Sequence, residues 1–180
     1  MSPGPFSPDQ IAFRPLVEAD LPALHVWLNR PHLRRFYQKT PIDLEQVRAE
    51  WGPVVRAEDP AFAHLALMED HPFGYAQCYL LMDSPDYAAE IGVTEGVGMD
   101  YFIAEPQLIG RGLGKAMLTA YLDRVVFPKF PDERRCVVCH EAANPASGGV
   151  LAGIGFRWVR DLIEGGQPSR MMVLERPEAR

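Results

Sequence analysis

Apolar and polar positions along the chain fall into two kinds of spacing, one typical of strands and one typical of helices. Strand-like runs occur at 11–15, in two runs between 61 and 82, and at 97–103, 135–140, 156–162 and 170–174. The two runs between 61 and 82 flank Glu69-Asp70-His71-Pro72, which predicts a β-hairpin. The last pair of runs flanks Glu164-Gly165-Gly166 and predicts a second pair of strands.

Helical spacing separates these runs. Asp20 is the expected N-cap of a helix through Leu28, and Thr40, as a capping hydroxyl before Pro41, predicts a second helix that ends near Arg56. A third helix follows Gly114 and is expected to stop at Pro128, and a short helix follows Asn144-Pro145. Residues 83–96 are predicted to form a loop. This order predicts one α+β domain over 11–180, with a mixed, largely antiparallel central sheet flanked by helices, after a flexible tail over 1–10.

Composition and charge exclude several classes of function. The chain has 180 residues, of which 47% are hydrophobic, and its 18 basic and 24 acidic residues leave a net charge of −6. Nucleic-acid binding is disfavoured because it requires clustered Lys and Arg. The first residues lack a signal-peptide pattern, and no apolar run approaches the roughly 18 residues of a membrane span. We therefore expect a cytoplasmic protein without a membrane segment, in which three cysteines stay reduced.

A glycine-rich segment connects the strand at 97–103 to the third helix. Gly110-Arg111-Gly112-Leu113-Gly114 lets the backbone approach a ligand closely, while the first N–H groups of the helix favour an anion such as a pyrophosphate. Its spacing fits neither a Walker loop, since Ala116 follows Lys115, nor a G-x-G-x-x-G dinucleotide fingerprint. A tight turn without a ligand is the alternative at this stage.

Three segments together resemble the GNAT (GCN5-related) N-acetyltransferases, and within them the aminoglycoside 6′-N-acetyltransferases. They are Trp27-Leu28-Asn29-Arg30-x-His32, Gly74-Tyr75-Ala76-Gln77-x-Tyr79, and Gly98-Met99-Asp100 followed by the glycine-rich loop. The resemblance implies acetyl-CoA as co-substrate and no metal. It also implies a splay between two neighbouring parallel strands, with the pantetheine arm running between them.

The resemblance also assigns residues to acetyl-CoA. It implies that the loop binds the pyrophosphate, that 102–104 bond the pantetheine, and that Asn144 and Ser147 lie near the CoA arm. The residues in question are Phe102, Ile103, Ala104, Ile109, Gly110, Arg111, Gly112, Leu113, Gly114, Lys115, Asn144 and Ser147. The chain departs from the family at Ile109, where Arg or Gln is common, and at Leu151, where a Tyr often acts as general acid. A Leu side chain cannot protonate a leaving thiolate.

Acetyl transfer to an amine requires a group that removes the amine proton. Asp100, on the strand before the expected pantetheine site, is the candidate base, and Glu141, after the strand at 135–140, is a second candidate carboxylate. The alternatives are a solvated strand-end Asp and an ordinary loop acid. Five further residues are expected to contact the substrate: Tyr37, Gln77, Tyr79, Asp83 and Asp86.

Acidic residues dominate the middle of the chain. Between Arg56 and Arg111 there is no Lys or Arg but there are ten Asp and Glu residues. Such a region attracts a cationic ligand, although a solvated acidic face is the plainer interpretation. Cys136-Val137-Val138-Cys139-His140 matches C-x-x-C-H, but residues three apart in a strand point to opposite faces, so neither a haem nor a zinc site is expected.

The sequence predicts an acetyl-CoA-dependent N-acetyltransferase that acts on a primary amine of a cationic small molecule, plausibly an aminoglycoside 6′-amine. A siderophore-type acyltransferase acting on hydroxylysine is the second hypothesis, and its relatives usually carry His where this chain has Asp100. A non-catalytic CoA- or polyamine-binding domain is the third, suggested by Leu151. The expected partners are acetyl-CoA and a cationic amine, with no nucleic acid and no membrane, and the expected state is a monomer or homodimer.

Overall fold

The computed structural model describes residues 6–176. Its strands are β1 (Ile11–Pro15), β2 (Phe62–Met68), β3 (His71–Leu80), β4 (Val97–Ile103), β5 (Arg135–Glu141), β6 (Arg157–Glu164) and β7 (Gln167–Glu175). Its α-helices are α1 (Leu21–Leu28), α2 (Pro31–Phe36), α3 (Leu44–Val55), α4 (Pro85–Ile91), α5 (Leu113–Tyr121), α6 (Phe127–Lys129) and α7 (Pro145–Gly153). A π-helical stretch, Leu122–Val126, joins α5 to α6.

The seven strands form one sheet in the order β1-β2-β3-β4-β5-β7-β6. Every neighbouring pair is antiparallel except β4 and β5, which are parallel. Only Val97 and Gly98 of β4 pair with β5, so the two seven-residue strands separate from Met99 onward. The predicted mixed, largely antiparallel sheet with a splay between two parallel strands is confirmed.

The sheet buries a separate apolar core on each face. One core lies beneath α5 and α7 and contains Met99, Met117 and Leu151. The other lies beneath α1, α2 and α3 and contains Trp51 and Phe102. Side chains alternate along β4, which explains why Met99 and Phe102 belong to different cores. Both faces of the splay are therefore lined by well-packed structure.

Several boundaries differ from those predicted. Asp43, not Thr40, caps α3, because its carboxylate accepts the Gln46 N–H while the Gln46 side chain accepts the Asp43 N–H. Pro128 does not end the third helix, because the wide π-helical stretch precedes it and α6 continues to Lys129.

Two helices lie where the sequence predicted none. The predicted loop at 83–96 contains α4, which begins at Pro85 and ends at Gly92 in the left-handed conformation. Helix α2 begins in the same way, with Pro31 in its first turn. The local signal for both helices is a proline in the first turn, preceded by Ser84 at α4 and by the extended residue Arg30 at α2.

The predicted flexible tail over 1–10 falls only partly within the described residues. Residues 1–5 lie outside the described part of the chain. Residues 8–10 form a 3₁₀ turn capped by Ser7, and Phe6 packs against the core beneath α5. Asp9 also accepts a hydrogen bond of 2.8 Å from Arg124. From Phe6 onward the segment is therefore attached to the domain.

The cysteines are placed as strand alternation requires. Cys136 is buried in the core beneath α5, whereas Cys139 packs on the opposite face of β5, and both are free thiols. Within residues 6–176 no group of three His, Cys, Asp or Glu side chains is arranged to hold a metal ion. No helix in that range is both long and apolar enough to cross a membrane.

Candidate active site

A large cavity of about 1270 Å³ opens along the splay. It extends from the glycine-rich loop, past the second half of β4 and the end of β5, to the segment that joins α2 to α3. It brings together twelve of the residues singled out in the sequence: Tyr37, Gln77, Asp100, Phe102, Ile103, Ile109, Gly110, Gly112, Gly114, Glu141, Asn144 and Ser147.

The glycine-rich loop presents a row of backbone donors to one end of this cavity. The Ala116 N–H donates to the Gly112 carbonyl at 3.3 Å, so the hydrogen bonds of α5 begin there and the N–H groups of the first helical residues have no partner within the helix. Gly110 and Gly112 have φ of 76° and 83°, a conformation that glycine adopts without strain. Gly114 serves packing instead, since a Cβ there would lie 3.4 Å from Val150 of α7. The loop and the start of α5 thus present main-chain N–H groups of the kind that bind anions at helix N-termini.

The other predicted loop residues contribute through their backbone rather than their side chains. The Arg111 guanidinium lies 5.6 Å from the centre of the Phe6 ring, and Leu113 is buried in the core. The Lys115 stem lies against Gly153 of α7. Ile109, at the departure from the family pattern, is exposed at the cavity rim.

The pairing of β3 and β4 determines which main-chain groups face the splay. The Ala104 N–H donates to the Phe73 carbonyl at 2.8 Å, so alternate positions along β4, including Phe102, direct their backbone groups toward β3. The intervening residues Tyr101 and Ile103 direct theirs toward the splay. Of the predicted residues Phe102, Ile103 and Ala104, Ile103 therefore directs its main-chain N–H toward the splay, as does Tyr101, whereas Phe102 and Ala104 direct theirs toward β3.

Two side chains that the sequence analysis did not place in the site hold the end of β4. Arg30 donates to the Ala104 carbonyl at 2.6 Å and contacts the Glu105 carboxylate at 2.9 Å. The His32 Nε2 lies 3.0 Å from the Ile103 carbonyl oxygen. Both belong to the Trp27–His32 segment, so that motif was the signal for them. Its role here is to anchor the splayed strand to α1 and α2.

The first turn of α7 contacts the splayed part of β4. Asn144 caps this helix by accepting the Ser147 N–H at 3.2 Å, and the Ser147 and Tyr101 hydroxyls lie 2.8 Å apart. Burial raises the pKa of Tyr101 to about 12, and the Ser147 hydrogen bond opposes the rise. Leu151 is fully buried in the core, which agrees with its inability to act as an acid.

Asp100 lies half-buried on β4, directly opposite Gln77 of β3. The Gln77 Nε2 donates to Asp100 Oδ2 at 2.7 Å. Burial raises the pKa of Asp100 above its usual range, while the Gln77 and Tyr79 side chains lower it. Gly98 makes room for Tyr79, because a Cβ at Gly98 would lie 2.4 Å from the Tyr79 ring. A carboxylate with a raised pKa is a stronger base than an exposed one.

Gln77 and Tyr79, predicted to contact substrate, thus also surround the carboxylate. Tyr79 is buried and does not line the cavity, whereas Gln77 does. Asp83 and Asp86 are exposed, one ending a 3₁₀ turn and the other in the first turn of α4, and neither lines the cavity. Tyr37 lines the cavity, with its ring centre 4.8 Å from that of Phe102.

Glu141 occupies the cavity but is already paired. Its Oε1 lies 2.6 Å from the Nζ of Lys39, a residue of the segment between α2 and α3. The Glu141 carboxylate is therefore already occupied by a cation. The structure therefore separates the two predicted carboxylates, with Asp100 next to the splay and Glu141 held by a cation.

Three more acidic side chains line the cavity, and the sequence analysis had not placed them there: Glu50, Asp59 and Glu164. Glu164 accepts a hydrogen bond of 2.7 Å from the Tyr87 hydroxyl of α4. Burial raises the pKa of Glu164, and the Asp100 charge raises it further. Glu50 lies on α3, Asp59 precedes β2 and Glu164 ends β6, so only the folded chain brings them together.

A family model described as the acetyltransferase (GNAT) domain matches residues 16–162. This chain belongs to the GNAT acetyltransferase family. Aminoglycoside N(6′)-acetyltransferases type 1 from Klebsiella pneumoniae and Serratia marcescens are each 28% identical to this GNAT chain over 150 residues. Those residues cover 77% of this chain and 75% of each relative.

Solved GNAT structures agree closely with this fold. AAC(6′)-Ib in complex with paromomycin and acetyl-CoA superposes with a TM-score of 0.84 at 26% identity, covering 93% of this chain and 94% of that one. The complex of AAC(6′)-Ib with coenzyme A and kanamycin gives 0.83 at 26% identity, covering 92% and 95%. The GNAT resemblance and the acyltransferase class predicted from the sequence are confirmed.

Proposed function

We propose that this GNAT enzyme transfers the acetyl group of acetyl-CoA to a primary amine of a cationic small molecule, and that the 6′-amine of an aminoglycoside is such a substrate. The observation that carries the proposal is the Asp100 carboxylate, half-buried on the splayed strand and facing the cavity. The names of the relatives and the ligands of the solved neighbours support the same substrate class.

The cavity provides one end for each reactant. The glycine-rich loop and the first N–H groups of α5 suit a pyrophosphate, and the N–H groups of Tyr101 and Ile103 suit an extended pantetheine arm. Away from the glycine-rich loop, the cavity is also lined by the carboxylates of Glu50, Asp59 and Glu164, and by the cations Arg35 and Lys39, of which Lys39 is paired with Glu141. With Asp100 and Glu141, carboxylates outnumber these cations, which favours an ammonium-rich ligand.

Acetyl-CoA supplies a thioester, which reacts only with a neutral amine. Asp100 accepts the proton from the substrate ammonium, so that the nitrogen lone pair can attack the thioester carbon. A backbone N–H on the splayed part of β4 stabilises the negative charge that develops on the carbonyl oxygen. The C–S bond then breaks, the nitrogen releases its second proton to solvent as the amide forms, and the thiolate takes a proton from solvent, because Leu151 offers none.

The test is release of free thiol from acetyl-CoA with a panel of amines: kanamycin, spermidine, N6-hydroxylysine and lysine. We expect release with the aminoglycoside, and replacement of Asp100 by Asn should lower kcat by about 10²–10⁴-fold while the KM for acetyl-CoA stays unchanged. Asp123→Asn is the matched control, since Asp123 is an exposed acid on the π-helical stretch outside the cavity.

Each alternative has its own outcome. Release only with N6-hydroxylysine would identify a siderophore-type acyltransferase, and absence of release with every amine despite acetyl-CoA binding would identify a non-catalytic domain. An Asp100→Asn variant with wild-type kcat would show that Asp100 is structural.

A further inference from the structure

A continuous chain of hydrogen bonds leads from the core beneath α3 to the Asp100 carboxylate. The Trp51 indole N–H donates to the Tyr75 hydroxyl oxygen at 2.9 Å, and the Tyr75 O–H donates to Gln77 Oε1 at 2.6 Å. The Gln77 Nε2 then donates to Asp100 Oδ2 at 2.7 Å. Three hydrogen bonds through two side chains, Tyr75 and Gln77, thus connect the buried Trp51 to the proposed base.

The direction of this chain is determined by its first member. An indole N–H can only donate, so the Tyr75 oxygen accepts from Trp51 and its one proton goes to Gln77. The Gln77 oxygen is thereby occupied, and its NH₂ group must face Asp100. A flipped amide would place an oxygen against the carboxylate and leave the Tyr75 hydroxyl without an acceptor.

The fold holds each member in place. Tyr75 and Gln77 are two residues apart on β3 and therefore lie on the same face of the sheet. Their cross-strand partners on β4 are Phe102 and Asp100, respectively. Tyr75 is fully buried, and its ring stacks on Phe102 with centres 5.1 Å apart and planes at 15°. Trp51 is 4% exposed. Buried groups of this kind are costly to leave without partners, so the arrangement is rigid.

We propose that Trp51 and Tyr75 are positioning residues that lock the Gln77 amide, so that Asp100 Oδ2 always accepts a hydrogen bond and the carboxylate is kept ionised and aimed for proton transfer. A proton taken from the amine is thereby directed to Oδ1. This inference rests on the proposed role of Asp100 as the base. In this inference Gln77 orients the Asp100 carboxylate, and Trp51 and Tyr75 belong to the site because they hold Gln77.

The surroundings of Asp100 make this hydrogen bond important. The Asp100 charge raises the pKa of titratable side chains from the α2–α3 segment, β3, α4, β5, β6 and, on the opposite face, α5: Tyr37, Tyr75, Tyr79, Tyr87, Cys139, Glu164 and Tyr121. The groups that lower the pKa of Asp100 itself are the neutral side chains of Gln77 and Tyr79, not a cation. The Gln77 donor therefore makes the largest contribution that favours the ionised form.

The test compares Gln77→Met, Tyr75→Phe and Trp51→Phe with the wild type. The pH dependence of kcat/KM for the amine and the pKa of Asp100, measured by ¹³C NMR of carboxyl-labelled protein without substrate, are the two readouts. Gln77→Met should raise the Asp100 pKa and move the acidic limb upward by about one pH unit, as expected for loss of a hydrogen bond to a charged group. Tyr75→Phe and Trp51→Phe should move both in the same direction by less.

Tyr121→Phe is the matched control. Tyr121 is also fully buried, and its hydroxyl lies 3.0 Å from His64 Nδ1 on the far side of the sheet. This variant loses the same hydroxyl group and should lose stability without moving the acidic limb. If Tyr75→Phe does not fold, Trp51→Phe tests the same orientation of the chain.

The outcomes separate the proposed positioning role of Trp51 and Tyr75 from the proposed base. If Asp100→Asn removes the acidic limb but Tyr75→Phe and Trp51→Phe leave it at its wild-type position, Asp100 is the base and the positioning role is wrong. If Asp100→Asn leaves the limb intact, the proposed base is wrong. In that case the Asp100 pKa of the Tyr75→Phe variant, measured by NMR, decides whether Tyr75 still controls the ionisation of Asp100. A pKa equal to that of the wild type overturns the positioning role.

Discussion

Replacing Gly112 by Val should abolish stabilisation of the protein by acetyl-CoA. Gly112 has φ of 83°, and a Cβ built there meets no atom within 4 Å, so the folded protein has room for a side chain. That open space is where the proposed pyrophosphate would approach the loop backbone and the first N–H groups of α5. A valine would fill it, and its preference for negative φ would turn those N–H groups away.

The expected magnitudes follow from linkage. A ligand at a hundredfold excess over its Kd stabilises the folded state by about 2.7 kcal/mol, which for a chain of this size raises Tm by about 5–10 °C. The left-handed backbone costs a non-glycine residue about 1–2 kcal/mol. Gly112→Val should therefore lower the Tm of the free protein by a few degrees and remove the increase caused by acetyl-CoA.

Gly166→Val is the matched control for this strain. Gly166 has φ of 75° in the β6–β7 turn, and a Cβ there also meets nothing within 4 Å. This variant should lose a similar amount of stability but keep the full acetyl-CoA shift in a thermal melt. A Gly112→Val protein with a wild-type shift would show that the loop does not bind the pyrophosphate. Equal loss of the shift in both variants would show that strain alone abolishes binding.

Three further predictions concern charge. Burial raises the folded-state pKa of Asp100 above its unfolded value, so the Asp100 charge lowers the stability of the protein as pH rises through that pKa. Asp100→Asn should therefore raise Tm at pH 7, and the gain should vanish near pH 3. A lower Tm of the variant at pH 7 would contradict this. The KM for a cationic amine should rise with ionic strength more than the KM for acetyl-CoA. The double variant Asp83→Asn with Asp86→Asn should leave the KM for the amine unchanged, because both residues lie outside the cavity. Lys39→Met should free Glu141 to bind an ammonium and lower the KM for the amine severalfold, whereas a higher KM would show that the ion pair holds the site in shape.

Much of the fold could be predicted from the sequence, because it depends on local chemistry. Alternating apolar residues set the limits of β4 at 97–103, and two left-handed residues, Glu69 and Asp70, close the predicted hairpin. The glycine pattern likewise predicted a turn into α5 with unpaired N–H groups, because conformation and helix ends are properties of a few consecutive residues. For the same reason, α2 and α4 were missed: six or seven residues carry too little periodicity to be distinguished from a loop.

Only the tertiary structure decided how the candidate site works. Asp100 could be singled out as the base, but its partner Gln77 lies 23 positions away and faces it through the β3–β4 register. The pairing of Glu141 with Lys39 likewise depends on where the α2–α3 segment crosses the cavity. A hydrogen bond or ion pair between distant residues is set by how strands pair and helices pack. The sequence therefore determines which groups are available, and the fold determines which of them meet and in what state of charge.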